Sequence, residues 1–364
     1  MSRPTVAEIN LLALKKNVKK LKKITRSKIY PVVKANAYGH GLKRVIETIN
    51  GSISGYCVAT FEESIELRRL TSKSVVCMEG PYNLEELKNL EKLNIDYVIH
   101  SNRQISFLAE IKSSDLSGNN KIWLKVDTGM NRLGFKENEI LKAFTTINSF
   151  KKKIVLMSHF SSASANTKAK KQSNKQIKLF KKYESKLKKI KPNLISSLCN
   201  SGGLINFKNS HMDISRPGIS IFGCQEDLGK SSLDLEQVMT LKSKFISIKK
   251  VQKGELVGYE GTWRAKKDTT IGILPIGYAD GYPTGMGNSA YVLVDNKKAK
   301  VIGRVSMDLT AVDLSRCVQA NFNSEVILWG SNLKIDKVAK FSNSISYELM
   351  TSVSKRVKRK YIEK

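Results

Sequence analysis

One lysine near the amino terminus stands at the end of an apolar run, in Ile29-Tyr-Pro-Val-Val-Lys-Ala-Asn-Ala-Tyr-Gly-His-Gly41. The run reads as a buried strand, and a lysine delivered to its end would be partly desolvated. Desolvation lowers the amine's pKa and frees a neutral nitrogen to attack a carbonyl. On this segment alone, a lysine that merely extends its charged tip out of a strand end fits equally well. Whether other reactive residues converge on Lys34 separates the two.

The elements that must position it are legible as an alternation. Short apolar or β-branched runs recur at 28–33, 56–60, 75–78, 96–99, 122–126, 154–157, 195–199 and 212–215, with amphipathic stretches such as 11–25, 61–70, 137–148 and 167–188 among them. Strands alternating with helices imply a parallel sheet with crossover helices, and eight such units predict a closed (β/α)8 TIM-type barrel of the α/β class. After about residue 226 the pattern changes to period-two alternation with Gly-containing turns, at 238–249, 269–276, 290–294 and 325–329. A mostly antiparallel β domain is expected there, closed by short helices at 335–342 and 346–354, with the two parts packed together.

Barrels of this type place their chemistry at the carboxyl ends of the strands. Here those ends carry Lys34 with Tyr38 and His40, Lys125-Val-Asp-Thr-Gly-Met-Asn-Arg132, Ser158-His159, Asn200-Ser-Gly-Gly203 and Arg216-Pro-Gly-Ile219. The last two follow strands seven and eight, where backbone N–H groups and a helix amino terminus commonly bind phosphate. A phosphorylated cofactor beside a strand-end lysine points to pyridoxal phosphate, whose aldehyde condenses with that lysine and whose ring takes up electrons from a carbanion. The glycine pairs alone would be read as turns.

Composition narrows the classes. A 364-residue chain with 41% hydrophobic residues can bury a large core. No apolar run is long enough to span a membrane, and Met1-Ser-Arg-Pro-Thr-Val-Ala-Glu-Ile lacks the apolar core of a secretion signal, so a cytoplasmic protein without membrane partners is expected. The five cysteines are scattered without metal or redox spacing, so no metal is expected. The net charge of +31 comes from lysines spread along helical stretches, without aromatic interleaving or arginine-rich arms. That pattern reads as solvated helix faces rather than a nucleic-acid surface.

Six motifs together resemble the alanine racemase family: Val33-Lys-Ala-Asn-Ala-Tyr-Gly-His-Gly41, Lys125-Val-Asp-Thr-Gly-Met-Asn-Arg132, Arg216-Pro-Gly-Ile219, Gly258-Tyr-Glu-Gly-Thr-Trp263, Pro275-Ile-Gly-Tyr-Ala-Asp-Gly281 and Gly303-Arg-Val-Ser-Met-Asp308. They span about residues 5–361 in the family's order. The resemblance implies a pyridoxal phosphate barrel over 1–225 and a β-rich domain over 226–364. It further implies a homodimer in which one subunit's β domain completes the other's site, converting L- and D-alanine and supplying D-alanine for peptidoglycan.

Carried over by position, Lys34 would hold the cofactor and serve as the base on the D-face, with Tyr259 of the other subunit serving the L-face. Arg216 would face the pyridine nitrogen and oppose its protonation, restraining side reactions, and His159 would bridge Arg216 and Tyr259. Arg132 would hydrogen-bond the cofactor's phenolic oxygen, and Lys125 matches a position that carries a carbamate in some members. Tyr38, Ser201, Gly218 and Ile219 would hold the phosphate, with Asn200 beside them. Met307 and Asp308 would receive the substrate carboxylate with Arg132, Asp308 by shaping the pocket, and Tyr278 would line the entrance.

Three departures stand out. Glu260 occupies a position where the family usually has glycine, Leu309 replaces a common glutamine, and Lys355 or its neighbours fall where some members place a phosphate-binding tyrosine. The other readings are racemisation of serine or a basic amino acid, and a non-catalytic pyridoxal phosphate carrier, which would have no use for a second base.

Overall fold

A computed structural model of the chain describes residues 3–116, 118–164, 166–224 and 233–363. After an opening strand β1 (Val6–Asn10) come β2 (Lys28–Ile29), β3 (Gly55–Val58), β4 (Ser74–Cys77), β5 (Asp96–Ile99), β6 (Ile122–Lys125), β7 (Ile154–Met157), β8 (Ile195–Ser197) and β9 (Ile214–Ser215). The last eight pair in parallel in the order β2-β9-β8-β7-β6-β5-β4-β3. A bridge from Val32 to Cys57 joins the two ends of that sheet. There the Val33 N–H donates to the Cys57 carbonyl at 2.8 Å and the Cys57 N–H to the Pro31 carbonyl at 2.9 Å. The expected eight-stranded barrel is present.

Strands β3, β5, β6 and β7 are buried at every position, as parallel strands must be when a filled barrel lies on one side and helices on the other. The regular ladder of the first barrel strand stops at Ile29, short of the expected 28–33, because Pro31 has no N–H to contribute. Among the covering helices, Thr167–Lys188 turns Ile177, Phe180, Tyr183 and Leu187 inward and leaves its lysines to solvent. Much of the positive charge therefore sits on amphipathic helix faces, as expected from its spacing.

The second region adds β10 (Met239–Ser243), β11 (Ser247–Val251), β12 (Leu256–Val257), β13 (Trp263–Arg264), β14 (Thr269–Leu274), β15 (Tyr291–Val294), β16 (Lys297–Ile302), β17 (Thr310–Asp313), β18 (Val326–Trp329) and β19 (Lys358–Ile362). Nine strands form one sheet in the order β11-β14-β17-β16-β15-β18-β10-β1-β19. The single strand expected over 238–249 is two strands, which part at 244–246 and take places far apart in the sheet. Helices Ile335–Phe341 and Ser346–Ser352 lie where they were expected.

One assignment needs correcting. The barrel expected over 1–225 does not take in the first residues, because β1 lies in the second sheet, antiparallel to β10 and parallel to β19. Its alternating burial, with Ala7 and Ile9 inside, is the pattern of a strand with one wet face, unlike the barrel strands. The expected boundary between 225 and 226 lies outside the described residues. A single hydrophobic cluster runs from Val58 and Trp123 in the barrel to Leu328 and Val338 in the second region, so the two parts share a core.

Candidate active site

Lys34 leads into an unusual turn. Ala35, Asn36, Ala37 and Tyr38 all adopt left-handed dihedrals, with φ of 51, 54, 53 and 52°. Each such L-residue costs about 1–2 kcal/mol, so four in succession need support from their surroundings. The Ala35 N–H donates to Glu63 Oε1 at 2.6 Å, and Asn36 Oδ1 accepts from the Leu42 N–H at 2.8 Å. The buried His40 ring places Nδ1 against the carbonyls of Ala37 and Tyr38. From the carboxyl-terminal segment, Arg359 Nε donates to the Gly39 carbonyl at 3.1 Å. A Cβ at Gly39 would collide with the Met350 carbonyl, and one at Gly41 with the Tyr361 hydroxyl; both glycines also have positive φ.

This turn opens on a cavity of about 390 Å³ at the carboxyl ends of the barrel strands. Lys34, Tyr38, Lys125, Arg132, His159, Asn200, Ser201, Arg216, Gly218 and Ile219 all line it. Every barrel residue assigned to the site is thus gathered in one place.

Its electrostatics are dominated by cations. Burial, then the nearby Arg132 and Arg216, push the Lys125 ammonium down to about 8. Burial and then Arg216 push His159 down to about 3, so its imidazole is neutral near pH 7. The desolvation anticipated for Lys34 falls instead on Lys125, since the Lys34 side chain is exposed. The buried Arg216 guanidinium donates to the Ser158 carbonyl at 2.7 Å and to Ser197 Oγ. It acts on His159 through charge. Among the described residues lining the cavity, Glu79 is the one carboxylate facing Lys34, Lys125, Arg132 and Arg216. Such a site calls for an anionic guest.

At one end of the cavity the donors converge. Ser201 Oγ accepts from the N–H groups of Gly218 at 2.9 Å and Ser220 at 3.2 Å. A Cβ at Gly218 would crowd the Tyr38 hydroxyl, so glycine is what lets the phenol lie against this backbone. Burial raises the Tyr38 phenol's pKa and keeps it a neutral donor. The ring of Tyr347 stands 5.9 Å from that of Tyr38 and also lines the cavity. Hydroxyls and glycine backbone at one end and a lysine within the same cavity fit a phosphorylated aldehyde.

Tyr259, Tyr278, Met307 and Asp308 lie elsewhere, on an exposed face of the second region. Tyr259 is 68% exposed on the short turn between β12 and β13. The Tyr278 N–H donates to the Ser306 carbonyl at 3.1 Å and the Ala279 N–H to that of Met307 at 3.0 Å, which knits two of the loops. Glu260 adopts φ 58°, the conformation a glycine would take there, and its carboxylate meets Arg304 at 2.6 Å. Asp308 is paired with Arg356 at 2.6 Å, so it presents no bare negative charge to a carboxylate. Leu309 adds exposed apolar surface to the same patch.

Sequence reasoning missed two polar lining residues, Glu79 and Tyr347. Glu79 follows β4 and obeys the strand-end rule, which could have found it. Tyr347 comes from helix Ser346–Ser352 and brings a tyrosine to the cavity from the carboxyl-terminal region that holds the Lys355 departure. No local signal ties that helix to the barrel mouth.

Comparison with known proteins agrees. The family models for the alanine racemase N-terminal and C-terminal domains match residues 9–226 and 238–361. The chain belongs to the alanine racemase family. An alanine racemase of Actinobacillus succinogenes is 37% identical over 370 residues, covering 99% of this chain and 100% of the relative. One from Nitrosomonas eutropha is 37% identical over 364 residues, covering 98% of each. The solved alanine racemase of Acinetobacter baumannii superposes with a TM-score of 0.90 at 34% identity, covering 99% of this chain and 100% of that one. That of Bartonella henselae, described with covalently bound pyridoxal phosphate, gives 0.89 at 27% identity, with 99% of both chains covered. Alanine racemases are pyridoxal phosphate-dependent isomerases, and the cavity's cations, hydroxyls and lysine suit that cofactor. Among the described residues no helix is long and apolar enough to cross a membrane.

Proposed function

We propose that this chain interconverts L- and D-alanine with Lys34 and the Tyr259 of a second subunit as opposed proton carriers. The observation that carries this reading is the split of the site: a cation-lined cavity around Lys34, and Tyr259 68% exposed on another face. A head-to-tail homodimer would bring the two halves together, because a twofold axis uses the same pair of surfaces twice.

When bound, pyridoxal phosphate supplies an aldehyde that condenses with an amine, releasing water, and a ring that accepts the electron pair of a breaking C–H bond. Tyr38, Ser201 and Tyr347 hold its phosphate by their hydroxyls, and Gly218 and Ile219 by their backbone. The Asn200 side chain caps the helix that begins at Ser201, accepting from the Gly203 N–H at 2.9 Å, and so fixes this cradle. Arg216 would present a fixed cation toward the cofactor's ring nitrogen and oppose its protonation. Lys34 Nζ takes or returns the α-proton on the D-face, and Tyr259 Oη does so on the L-face. His159, held neutral, can donate through one ring nitrogen and accept through the other between Arg216 and Tyr259.

Arg132 orients the phenolic oxygen and the substrate carboxylate, which the Met307 N–H also receives. Asp308, tied to Arg356, shapes that pocket, and Tyr278 narrows the entrance. The lowered pKa of Lys125 gives its amine a neutral fraction near pH 7.5, able to add carbon dioxide and release a proton. The resulting carbamate would set an anion among Arg132, Arg216 and Lys34. A 13C-bicarbonate signal present in the wild type and absent in Lys125→Ala tests it.

We assign the protein to the cytoplasm, supplying D-alanine for peptidoglycan. The deciding experiment is a D-amino-acid-oxidase-coupled assay of wild type and Lys34→Ala, with L-serine and L-lysine run beside L-alanine. Failure of the wild type on alanine overturns the reading, and faster turnover of another amino acid reassigns the substrate. Mixing inactive Lys34→Ala and Tyr259→Phe subunits should restore about a quarter of wild-type activity, since half the dimers are mixed and each has one intact site. No restoration after subunit exchange would disprove the shared site.

A further inference from the structure

Glu63 sits at the third position of helix Phe61–Arg68, where it forms a capping box with Thr60. Its Oε2 accepts from the Ala59 N–H at 2.8 Å and, at the limit of reach, from the Thr60 N–H at 3.5 Å. A capping box asks no more of that side chain. The other oxygen does something a helix cap does not require: Oε1 accepts from the Ala35 N–H at 2.6 Å, across to the first barrel strand's loop. Ala35 directly follows Lys34 and is the first of the four left-handed residues. The backbone there leaves the extended path of the strand, and the direction it takes sets where the Lys34 side chain starts.

We propose that the Glu63 carboxylate is a positioning residue for Lys34, holding the left-handed turn so that the amine stays in the cofactor cavity. The Ala37 and Gly39 N–H groups are satisfied by carbonyls of this same segment, those of Val33 and Ala35. The Ala35 N–H is served from outside the segment, by a charge-assisted bond to a half-buried carboxylate. Both Glu63 oxygens face N–H donors on different segments, so only a group with two acceptors fits. Glutamine offers one acceptor and one donor and must abandon either Ala35 or the cap. Aspartate keeps the charge but is one methylene too short to span both.

This inference rests on the reading that Lys34 carries the cofactor, and its test separates the two. Wild type, Glu63→Gln and Thr60→Ala are each loaded with pyridoxal phosphate and treated with borohydride, whose hydride reduces the C=N bond and fixes the pyridoxyl group on the lysine. Peptide mass spectrometry then gives the fraction of Lys34 modified, and the visible absorbance of the unreduced protein is followed against pH. Thr60→Ala weakens the same helix cap while leaving the Ala35 bond intact, so it controls for stability alone. In Glu63→Gln the modified fraction should fall about tenfold, the loss expected for one charge-assisted hydrogen bond, and the absorbance should titrate at a shifted pH. Thr60→Ala should match the wild type in both. A Glu63→Gln protein that retains the wild-type fraction and titration overturns the proposal, as does a Thr60→Ala protein that loses as much. If Glu63→Gln does not fold, Glu63→Asp takes its place under the same criteria. A wild type with no modified Lys34 overturns the parent reading instead.

Discussion

The barrel cavity and the Tyr259 patch hold their side chains by different means. In the cavity, burial and neighbouring charge do the work: Arg216 is 2% exposed and bonded to two strand ends, and Lys125 and His159 are displaced far from their ordinary pKa values. On the patch, backbone turns and ion pairs place side chains that remain in solvent, as with Tyr259 beside the Glu260–Arg304 pair. One half of the proposed chemistry is thus preorganised within the chain, and the other is presented outward. A preorganised half loses little freedom on binding its cofactor, while an exposed half gains its low-dielectric surroundings only on association.

That contrast can be broken at several points. The largest effects belong to the proposed proton carriers. Lys34→Ala should lower kcat/KM for alanine by at least about a thousandfold. Tyr259→Phe should lower it by about a hundredfold or more yet leave the chain's thermal unfolding unmoved, because the removed hydroxyl is on an exposed ring. A matching fall in melting temperature would make Tyr259 structural and erase the distinction between the halves.

Next comes Gly39→Ala, which forces a Cβ onto the Met350 carbonyl at positive φ. We expect about 2–4 kcal/mol of lost stability in urea unfolding, with cofactor retention falling alongside. Retention unaffected by such a loss would mean that the carboxyl-terminal segment does not support the lysine turn.

The cavity's electrostatics predict a pH dependence. His159 binds its proton near 3 in the folded chain and near 6.5 when unfolded. Below 6.5 the unfolded state therefore holds more protons, so this group's contribution to stability is complete above 6.5 and is lost as pH falls toward 3. Its share of the slope is about 1.4 kcal/mol per pH unit. His40, lowered to about 4 by burial, acts in the same sense. His159→Gln should flatten the profile by one proton's worth, and an unchanged slope would show that His159 is not desolvated. Lys125 works in the same direction at higher pH. Below 8 its buried charge destabilises the fold, and that burden is relieved as pH rises from 8 to 10.5.

The smallest effect is expected on the patch. Glu260→Gly removes a left-handed glutamate but also an exposed ion pair worth about 0.2–1 kcal/mol. Stability should change by less than about 1 kcal/mol, in favour of the glycine. A large loss would show that the patch is held as firmly as the cavity.

The barrel's share of this site was legible because its rules are local. Apolar runs mark strands, and the polar residue after each run lands at the barrel mouth, which gathered Lys34, Lys125, Arg132, His159, Asn200 and Arg216. The same rule applied to β4 would have reached Glu79. What stayed hidden depends on distant contacts. Nothing near Val6 announces that β1 will pair with strands more than two hundred residues away, and nothing near Tyr347 announces the cavity. The exposure of Lys34 was misjudged because a run of left-handed residues after a strand has no sequence signature when those residues are alanine, asparagine and tyrosine.

The supports of the lysine turn carry a consequence for biosynthesis. Lys34 is translated about three hundred residues before Met350, Arg359 and Tyr361, which brace Gly39 and Gly41, and before β19, the parallel partner of β1. A nascent chain can close much of its barrel before then, yet it lacks the braces that offset four left-handed residues. Firm capture of the cofactor should therefore wait for that later segment, and chains truncated before Met350 should emerge colourless however well their barrels fold.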